Sequence, residues 1–273
     1  MAAQALVRRS YLTPLDTYSI NVMGTANLLE VIRSAPHVKA VLIVTSDKCY
    51  ENNEWSWGYR EIERLGGYDP YSNSKACAEL VTAAFRSSFF DSKQNDPHGA
   101  AIATVRAGNV IGGGDWSSDR LVPDILATIE RGEILRLRNP AAIRPWQHVL
   151  EPLSGYLVLV EHLFGEQGAS YAEAWNFGPS DDDVRSVEWI CQRTMKLWES
   201  PVSWVCDDRS HPHEANYLKL DCSKAKSRLG WQPRWNLDKA LSEIVSWHRS
   251  HMQGENMRDK SIAQISDFES ISV

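Results

Sequence analysis

The chain has 273 residues, 43% of them hydrophobic, enough to bury a sizeable core as one large α/β domain or as a domain with a smaller appended lobe. Its formal charge of −6 argues against a nucleic-acid binder, since phosphate-tracking proteins carry a basic surface, and no apolar run approaches the ~20 residues of a membrane helix. The opening "MAAQALVRRSY" lacks the apolar core of a secretory signal, and five cysteines without a C-x-x-C pair suit reduced thiols better than a disulfide framework or a zinc site.

Residues 13–34 predict a helix, with Thr13 as its cap, Pro14 in the first turn, Asp16 completing a box-like start and "LLEVI" as a buried face. "KAVLIVTS" is a continuous apolar run rich in β-branched residues, the pattern of a strand buried on both faces of a parallel sheet. Residues 71–89 follow as a helix, with Cys77, Val81, Ala84 and Phe85 at helical spacing. "GAAIATVRAGNVIGGG" is a second buried strand that ends in a glycine-rich loop. The order helix, strand, helix, strand predicts a right-handed parallel α/β sheet. Farther on, "LVPDILATIERG" is a helix stopped by Gly132, and "AIRPWQHVLEPLSGYLVLVEHLF" a strand or turn leading into a helix. "AWNFGPS" is a short strand and residues 185–198 a helix. The stretch "LDCSKAKSRLGWQPRWNLDKALSEIVSWHRSH" holds two short helices around a Gly-Trp-x-Pro turn, and the residues from 252 onward read as a disordered polar tail.

On the helix at 71–89, Tyr71, Lys75, Ala78 and Thr82 share one stripe, separate from that of Val81, Ala84 and Phe85. Two polar and two small residues make a poor packing face but a good one for a flat ligand. A free tyrosine has a pKa of about 10, and an ammonium one turn away favours the phenolate, making the tyrosine a usable base near neutrality. Tyr-x-x-x-Lys recurs by chance in many helices, so its surroundings matter. "TSDKCY" puts Ser46, Asp47 and Lys48 at the carboxyl end of a buried parallel strand, where ligands bind in open α/β sheets. A serine there can bond both a substrate hydroxyl and the tyrosine phenol; Asp47 and Lys48 read either as catalytic groups or as an exposed ion pair. The next strand also ends in polar residues, Asn109, then Gly112, Gly113, Gly114 and Asp115.

Ser46, Tyr71 and Lys75, with Asn21 in "NVMGT", resemble the catalytic tetrad of the extended short-chain dehydrogenase/reductase family, which includes NAD-dependent sugar-nucleotide epimerases and dehydratases. "TSDKCYENNEWSWGYRE", "GGYDPYSNSKACAELV", "VRAGNVIGGGDW", "AIRPWQHVLEPLSGYL" and "YLKLDCSKAKSRLGW" resemble its CDP-glucose 4,6-dehydratase branch. Relatives acting on dTDP-glucose usually carry Asp-Glu where this chain has Asp47-Lys48. The lysine therefore favours the CDP-glucose branch and leaves open an inverting dehydratase of a UDP-amino sugar.

That resemblance implies an N-terminally truncated Rossmann-like parallel sheet over residues 1–114, a smaller, partly interleaved substrate-binding lobe over 115–251, and a polar tail over 252–273. It implies a hydro-lyase in which Tyr71, assisted by Lys75 and Ser46, takes the proton of the glucose 4-hydroxyl while NAD accepts hydride from C4. Asp47 then protonates the departing 6-hydroxyl, Lys48 handles the C5 proton (a role usually held by glutamate), and hydride returns to C6. NAD contacts are implied for Ala2, Ala3, Gln4, Asn21, Ser46, Tyr71 and Lys75. Contacts to the nucleotide sugar, CDP-glucose, are implied for Asn109, Leu121, Val122, Arg144, His213 and Tyr217, with Arg144 on the diphosphate. A cytoplasmic homodimer formed through the helices at 13–34 and 71–89, without a metal, completes what the resemblance implies.

A Rossmann cofactor site needs a Gly-rich turn between a first strand and a first helix. "GGGDW" follows a late strand, so it is not that turn. The opening two or three strand–helix units are expected to be absent, on the order of 70–80 residues at ~30 per unit. On that expectation the strand at 39–46 has an open edge that invites aggregation or partner pairing, and this chain by itself binds NAD poorly and has little or no turnover. A non-catalytic remnant that binds a nucleotide sugar or a full-length partner stays open beside the dehydratase.

Overall fold

The computed structural model describes residues 2–90, 99–209 and 215–271. In chain order come helices α1 (Val7–Leu12), α2 (Pro14–Tyr18) and α3 (Gly24–Arg33), strand β1 (Ala40–Val44), α4 (Pro70–Phe89) and β2 (Ala101–Ala107). They are followed by β3 (Asn109–Ile111), α5 (Leu121–Arg131), β4 (Leu135–Leu137), β5 (Ile143–His148), α6 (Leu150–Phe164) and β6 (Ala174–Phe177). The remainder holds β7 (Val184–Ser186), α7 (Val187–Trp198), β8 (Trp204–Cys206), α8 (Ser223–Leu229), α9 (Leu237–Met252) and α10 (Met257–Ser270). Two compact units result: Met1–Gly108 with Ser154–Phe177 and Leu220–Trp231, and Asn109–Leu153 with Gly178–Lys219 and Gln232–Val273.

The first unit is built on a parallel sheet in the order β1–β2–β6. Val44 stands opposite Val105, and Ala107 opposite Phe177. These strands are apolar without alternation, so both faces need cover. One cover comes from α3 and α4, whose Leu29, Val81 and Phe85 join Val41, Ile43 and Ile102 in one apolar cluster. At Gly155 in α6 a Cβ would stand 2.3 Å from the ring of Phe177, so only glycine lets this helix lie so close to β6. Among the described residues β1 is hydrogen-bonded on one side only, to β2.

The helix expected over 13–34 forms as α2 and α3 with a single π turn, Ser19–Met23, between them. Pro14 takes the first position as expected, but the Thr13 hydroxyl donates back to the Arg9 carbonyl at 3.3 Å instead of capping. At the start of α4, Asp69 accepts from the Ser72 N–H at 3.0 Å, and Pro70 fills a position whose N–H would have no partner.

The second unit carries the sheet β3–β5–β7, with β5 parallel to β3 and antiparallel to β7, and a small parallel pair, β4–β8. Its core gathers Val122, Ile125, Trp146, Ile190, Leu241 and Ile244 from α5, β5, α7 and α9. Gly132 stops α5 in the left-handed conformation (φ 64°), as the sequence indicates. The tail is a correction. Residues 257–270, expected to be disordered, form α10, which is docked on α9 by Trp247 Nε1 donating to Ser261 Oγ at 3.0 Å and by a Lys239–Asp267 ion pair at 2.9 Å. Phe268 is buried edge-on to Trp235 and is the helix's main apolar anchor, so composition alone hid it. No helix among the described residues is long and apolar enough to cross a membrane, and all five cysteines are free thiols.

His148 ends β5 in a buried position, its Nδ1 accepting from the Leu150 N–H at 3.3 Å. Burial pushes it from 6.5 down to about 4, with Glu243 opposing. The unfolded chain therefore takes up a proton that the folded protein refuses, so this contribution is complete above pH 6.5 and is lost as the pH falls towards 4. Over that window the unfolding free energy should drop by roughly 3 kcal/mol on account of this residue. Urea titrations across the same range should give a flatter profile for His148→Asn; an unchanged slope would assign the acid loss to other groups.

Candidate active site

After Val44 the chain passes through Thr45 and Ser46 into a single 3₁₀ turn, Asp47–Cys49. Ser46 organises that turn: its Oγ accepts from the Lys48 N–H at 3.2 Å while its hydroxyl donates to Asp47 Oδ1 at 3.0 Å. Asp47 is 2% exposed, Ser46 is buried and Lys48 half-buried. The carboxylate of Asp47 faces Tyr156 of α6, whose phenol is pushed up by burial and then further by Asp47.

Tyr71 is the second residue of α4 and is half-buried; Lys75, one turn later, is buried. Lys75 Nζ donates to the Val44 carbonyl at 3.2 Å, which ties the start of α4 to the end of β1. Burial pulls this ammonium below its ordinary value, with Cys49 and Glu79 opposing. Val44 is its acceptor among the described residues, which leaves donors of the ammonium for a ligand bearing hydroxyls.

Asn21 sits in the π turn between α2 and α3, a type of turn frequent at functional sites. Its Oδ1 accepts from the Gln4 N–H at 2.9 Å, and its Nδ2 donates to the Gln4 carbonyl at 3.0 Å and to Ser74 Oγ at 2.9 Å. One side chain thus pins the segment at Gln4 to α4. Gln4 is itself buried and donates to Thr17 Oγ1 at 2.9 Å, whereas Ala2 and Ala3 are exposed.

Sequence reasoning missed the charged pair beneath this turn. Glu79 of α4 and Arg106 of β2 meet at 2.8 Å, each side chain 3% exposed. Burial alone would raise the Glu79 carboxyl, but Arg106 and the hydroxyls of Thr104 and Thr45 hold it below the ordinary carboxylate range. Arg106 Nη1 continues to Tyr50 Oη at 2.8 Å, and Tyr50 donates to Asn176 Oδ1 at 2.7 Å. The available signal was an arginine inside the apolar run "AIATVRA" and a glutamate four residues after Lys75.

The remaining candidates lie in the second unit. Arg144 of β5 is buried, and its guanidinium donates to the Ile143 carbonyl at 2.9 Å and to the Ala215 carbonyl. Tyr217, half-buried, bridges Ile143, so these two candidates come together. Asn109 is half-buried on β3 opposite Trp146 of β5. Val122 belongs to the apolar core and Leu121 packs against it, so a pocket wall at these positions would be mainly backbone. His213 lies outside the described residues. The glycines of "GGGDW" have a packing reason: a Cβ at Gly113 would stand 2.4 Å from the Trp247 ring, and one at Gly112 2.9 Å from Val149. Among the described residues no three His, Cys, Asp or Glu side chains gather as a metal site.

A profile of the GDP-mannose 4,6-dehydratase family matches residues 1–244. The chain belongs to that family. It is 58% identical over 268 residues to a CDP-glucose 4,6-dehydratase of Salmonella typhimurium, covering 98% of this chain and 74% of that relative. To a dTDP-glucose 4,6-dehydratase of Haemophilus influenzae the identity is 26%, over 91% of this chain and 74% of the relative. Among solved structures, a dTDP-glucose 4,6-dehydratase of Streptomyces venezuelae with NAD bound superposes with a TM-score of 0.76 at 24% identity, covering 94% of this chain and 74% of that one. A UDP-glucose 4-epimerase of Thermotoga maritima gives 0.79 at 21%, covering 92% and 76%. At such identities the two structures show the fold alone, a Rossmann-like α/β arrangement with a parallel sheet.

Within this family frame, Asn21 is placed to hold the segment at Gln4 against α4. Asn21→Ala would leave the Gln4 amide and carbonyl and the Ser74 hydroxyl short of buried partners. Chemical denaturation should record a loss of roughly 2–3 kcal/mol; a loss within 0.5 kcal/mol, the range of an ordinary surface change, would show that the contact carries no stability.

Proposed function

We propose that the protein is a sugar-nucleotide 4,6-dehydratase, a hydro-lyase that converts CDP-glucose to CDP-4-keto-6-deoxyglucose. The 58% identity to a CDP-glucose 4,6-dehydratase over 98% of the chain carries this reading, because the matched stretch holds the Ser46–Lys48 turn and the Tyr71–Lys75 helix start.

The cofactor of the reading is NAD. Residues present here fit its nicotinamide-riboside end: Lys75 offers donors beside the turn of Ser46, with Asn21 and Gln4 adjoining α4. The glycines at 112–114 follow a late strand and lie against Trp247 and Val149, not in the first strand-to-helix turn that holds a Rossmann pyrophosphate. When bound, NAD supplies the hydride acceptor for C4 and the hydride donor for C6.

The side chains manage the protons. Tyr71 takes the proton of the glucose 4-hydroxyl, and the Lys75 ammonium one helical turn away favours its phenolate. Ser46 hydrogen-bonds the same sugar oxygen. The ketone at C4 acidifies the C5–H, whose proton Lys48 carries. Asp47 gives a proton to the departing 6-hydroxyl, so that water leaves across C5–C6. In the second unit Arg144, its guanidinium oriented by two backbone carbonyls, grips the diphosphate with a planar fork. Tyr217 and His213 contribute on the nucleotide side, as do Asn109 and the backbone at Leu121 and Val122. Free thiols and this chemistry suit a cytoplasmic enzyme.

The helices of the first unit leave a broad apolar face, with Leu12, Leu15, Met23, Val31 and Leu80 all more than half exposed. Exposed apolar side chains clustered on one face mark protein–protein contact surfaces. A second copy of this chain is its occupant in the reading.

Against the expectation of little or no turnover, the dehydratase reading predicts that incubation with CDP-glucose and NAD yields a product lighter by one water, read by mass spectrometry; unchanged substrate with every nucleotide sugar tried would refute the reading. Tyr71→Phe should lower kcat by about 10²–10⁴-fold. Asp47→Asn should keep C4 oxidation yet lose the elimination, and full water loss in that variant would remove Asp47 from its role. Light scattering should give twice 30.8 kDa for the protein and a monomer for Leu15→Lys/Val31→Lys; a monomeric parent protein would end the dimer proposal.

A further inference from the structure

Glu79 lies one helical turn beyond Lys75 on the same face of α4, and the mechanism above gives it no part. Its carboxylate accepts from Thr45 Oγ1 at 2.5 Å, from Thr104 Oγ1 at 2.6 Å, and from Nε and Nη2 of Arg106 at 2.8 Å each. Thr45 stands between Val44, whose carbonyl accepts from Lys75, and Ser46, which organises the catalytic turn. We propose that Glu79 is a positioning residue for Lys75, fixing the end of β1 through Thr45 and supplying the carboxylate that keeps the buried ammonium charged.

The surroundings single out this carboxylate. Lys75 is faced by the Val44 carbonyl of β1, by Cys49 of the 3₁₀ turn and by Glu79 of its own helix. The Cys49 thiol is pushed well up by burial and is neutral, so of these three groups Glu79 alone bears a charge. Glu79 in turn is faced by Arg106 from β2 and by Arg86 and Lys75 from α4. Arg106 takes the carboxylate in a bidentate grip and fixes its direction. The pair is therefore an oriented dipole; Cys49 and Glu79 both oppose burial at Lys75, and of the two only the carboxylate of Glu79 bears a charge. An ammonium that lost its proton could no longer favour the phenolate of Tyr71, so the effect would reach the base of the reaction.

The test follows the Lys75 side chain by NMR in protein labelled at lysine Cε, its signal assigned by disappearance in Lys75→Met. In Glu79→Gln the Lys75 titration should move down by about one pH unit, and Glu79→Asp, which keeps the charge, should restore most of it. Arg106→Gln breaks the same ion pair yet leaves the carboxylate. Its Lys75 titration should stay or rise, whereas a purely structural role would lower both. Should Glu79→Gln fail to fold, Glu79→Gln/Arg106→Gln, which leaves no buried charge unpaired, should show the same downward movement. An unmoved Lys75 titration in the folded variants overturns the proposal. The kinetic arm alone rests on the dehydratase reading: the alkaline limb of kcat/KM for CDP-glucose should follow the Lys75 titration downward. Absence of turnover in the parent protein would sink that reading and leave the NMR result to decide this one.

Discussion

The ion pair between Glu79 and Arg106 is the constraint on which the first unit depends. Two full charges at 3% exposure would each cost several kcal/mol if left alone, and their attraction offsets that cost only when the other lone pairs and protons are also matched. The match is made in full view. Thr45 and Thr104 complete the carboxylate, and the Tyr50 hydroxyl and the Glu61 carbonyl take Arg106 Nη1. Tyr50 passes on to Asn176, whose amide donates to the carbonyls of Tyr59 and Asp221. One network therefore joins β1, α4, β2, β6 and two loop segments, and any other packing of these elements would strand a buried polar group.

The catalytic turn inherits its shape from this network. Asp47–Cys49 is only three residues long, and it lies between Thr45, held by Glu79, and Tyr50, held by Arg106 and Asn176. Both ends are fixed by the same ion pair, so the turn need not be rigid in its own right. Lys75 adds a third tie, from α4 to the carbonyl of Val44. Ser46 and Asp47 are thereby held buried and bonded to each other before any ligand arrives, the kind of preorganisation that acid–base chemistry requires.

The sequence made legible whatever depends on neighbours along the chain. β1 and β2 announced themselves as unbroken apolar runs, α5 by its stop at Gly132, and the candidate site by the Tyr71–Lys75 spacing beside a polar strand end. Long-range partners were not legible. Nothing local says that Asn176 reaches Tyr50, 126 positions away, or that Asn21 bonds Ser74. The glycines at 112–114 permit a close approach, and periodicity cannot say that what approaches is the indole of Trp247. The helix α10 was lost for the same reason, since its docking rests on Phe268 and on hydrogen bonds to distant side chains of α9.

Similar superposition on a 4,6-dehydratase and on a 4-epimerase is what this architecture should produce. In the proposed reaction, oxidation at C4 uses Tyr71, Lys75 and Ser46, which lie together at the junction of β1 with α4. Elimination needs two further groups, an acid for the 6-hydroxyl and a carrier for the C5 proton. On the proposed mechanism both come from adjacent positions of one short turn, Asp47 and Lys48, next to Ser46. On that proposal the reaction class resides in two side chains on a turn whose ends are held by Glu79 and Arg106, not in the fold that carries them. On the same proposal substrate choice lies with Arg144 and Tyr217 in the other unit, so changes there would alter which nucleotide sugar is bound and leave the groups at the end of β1 in place.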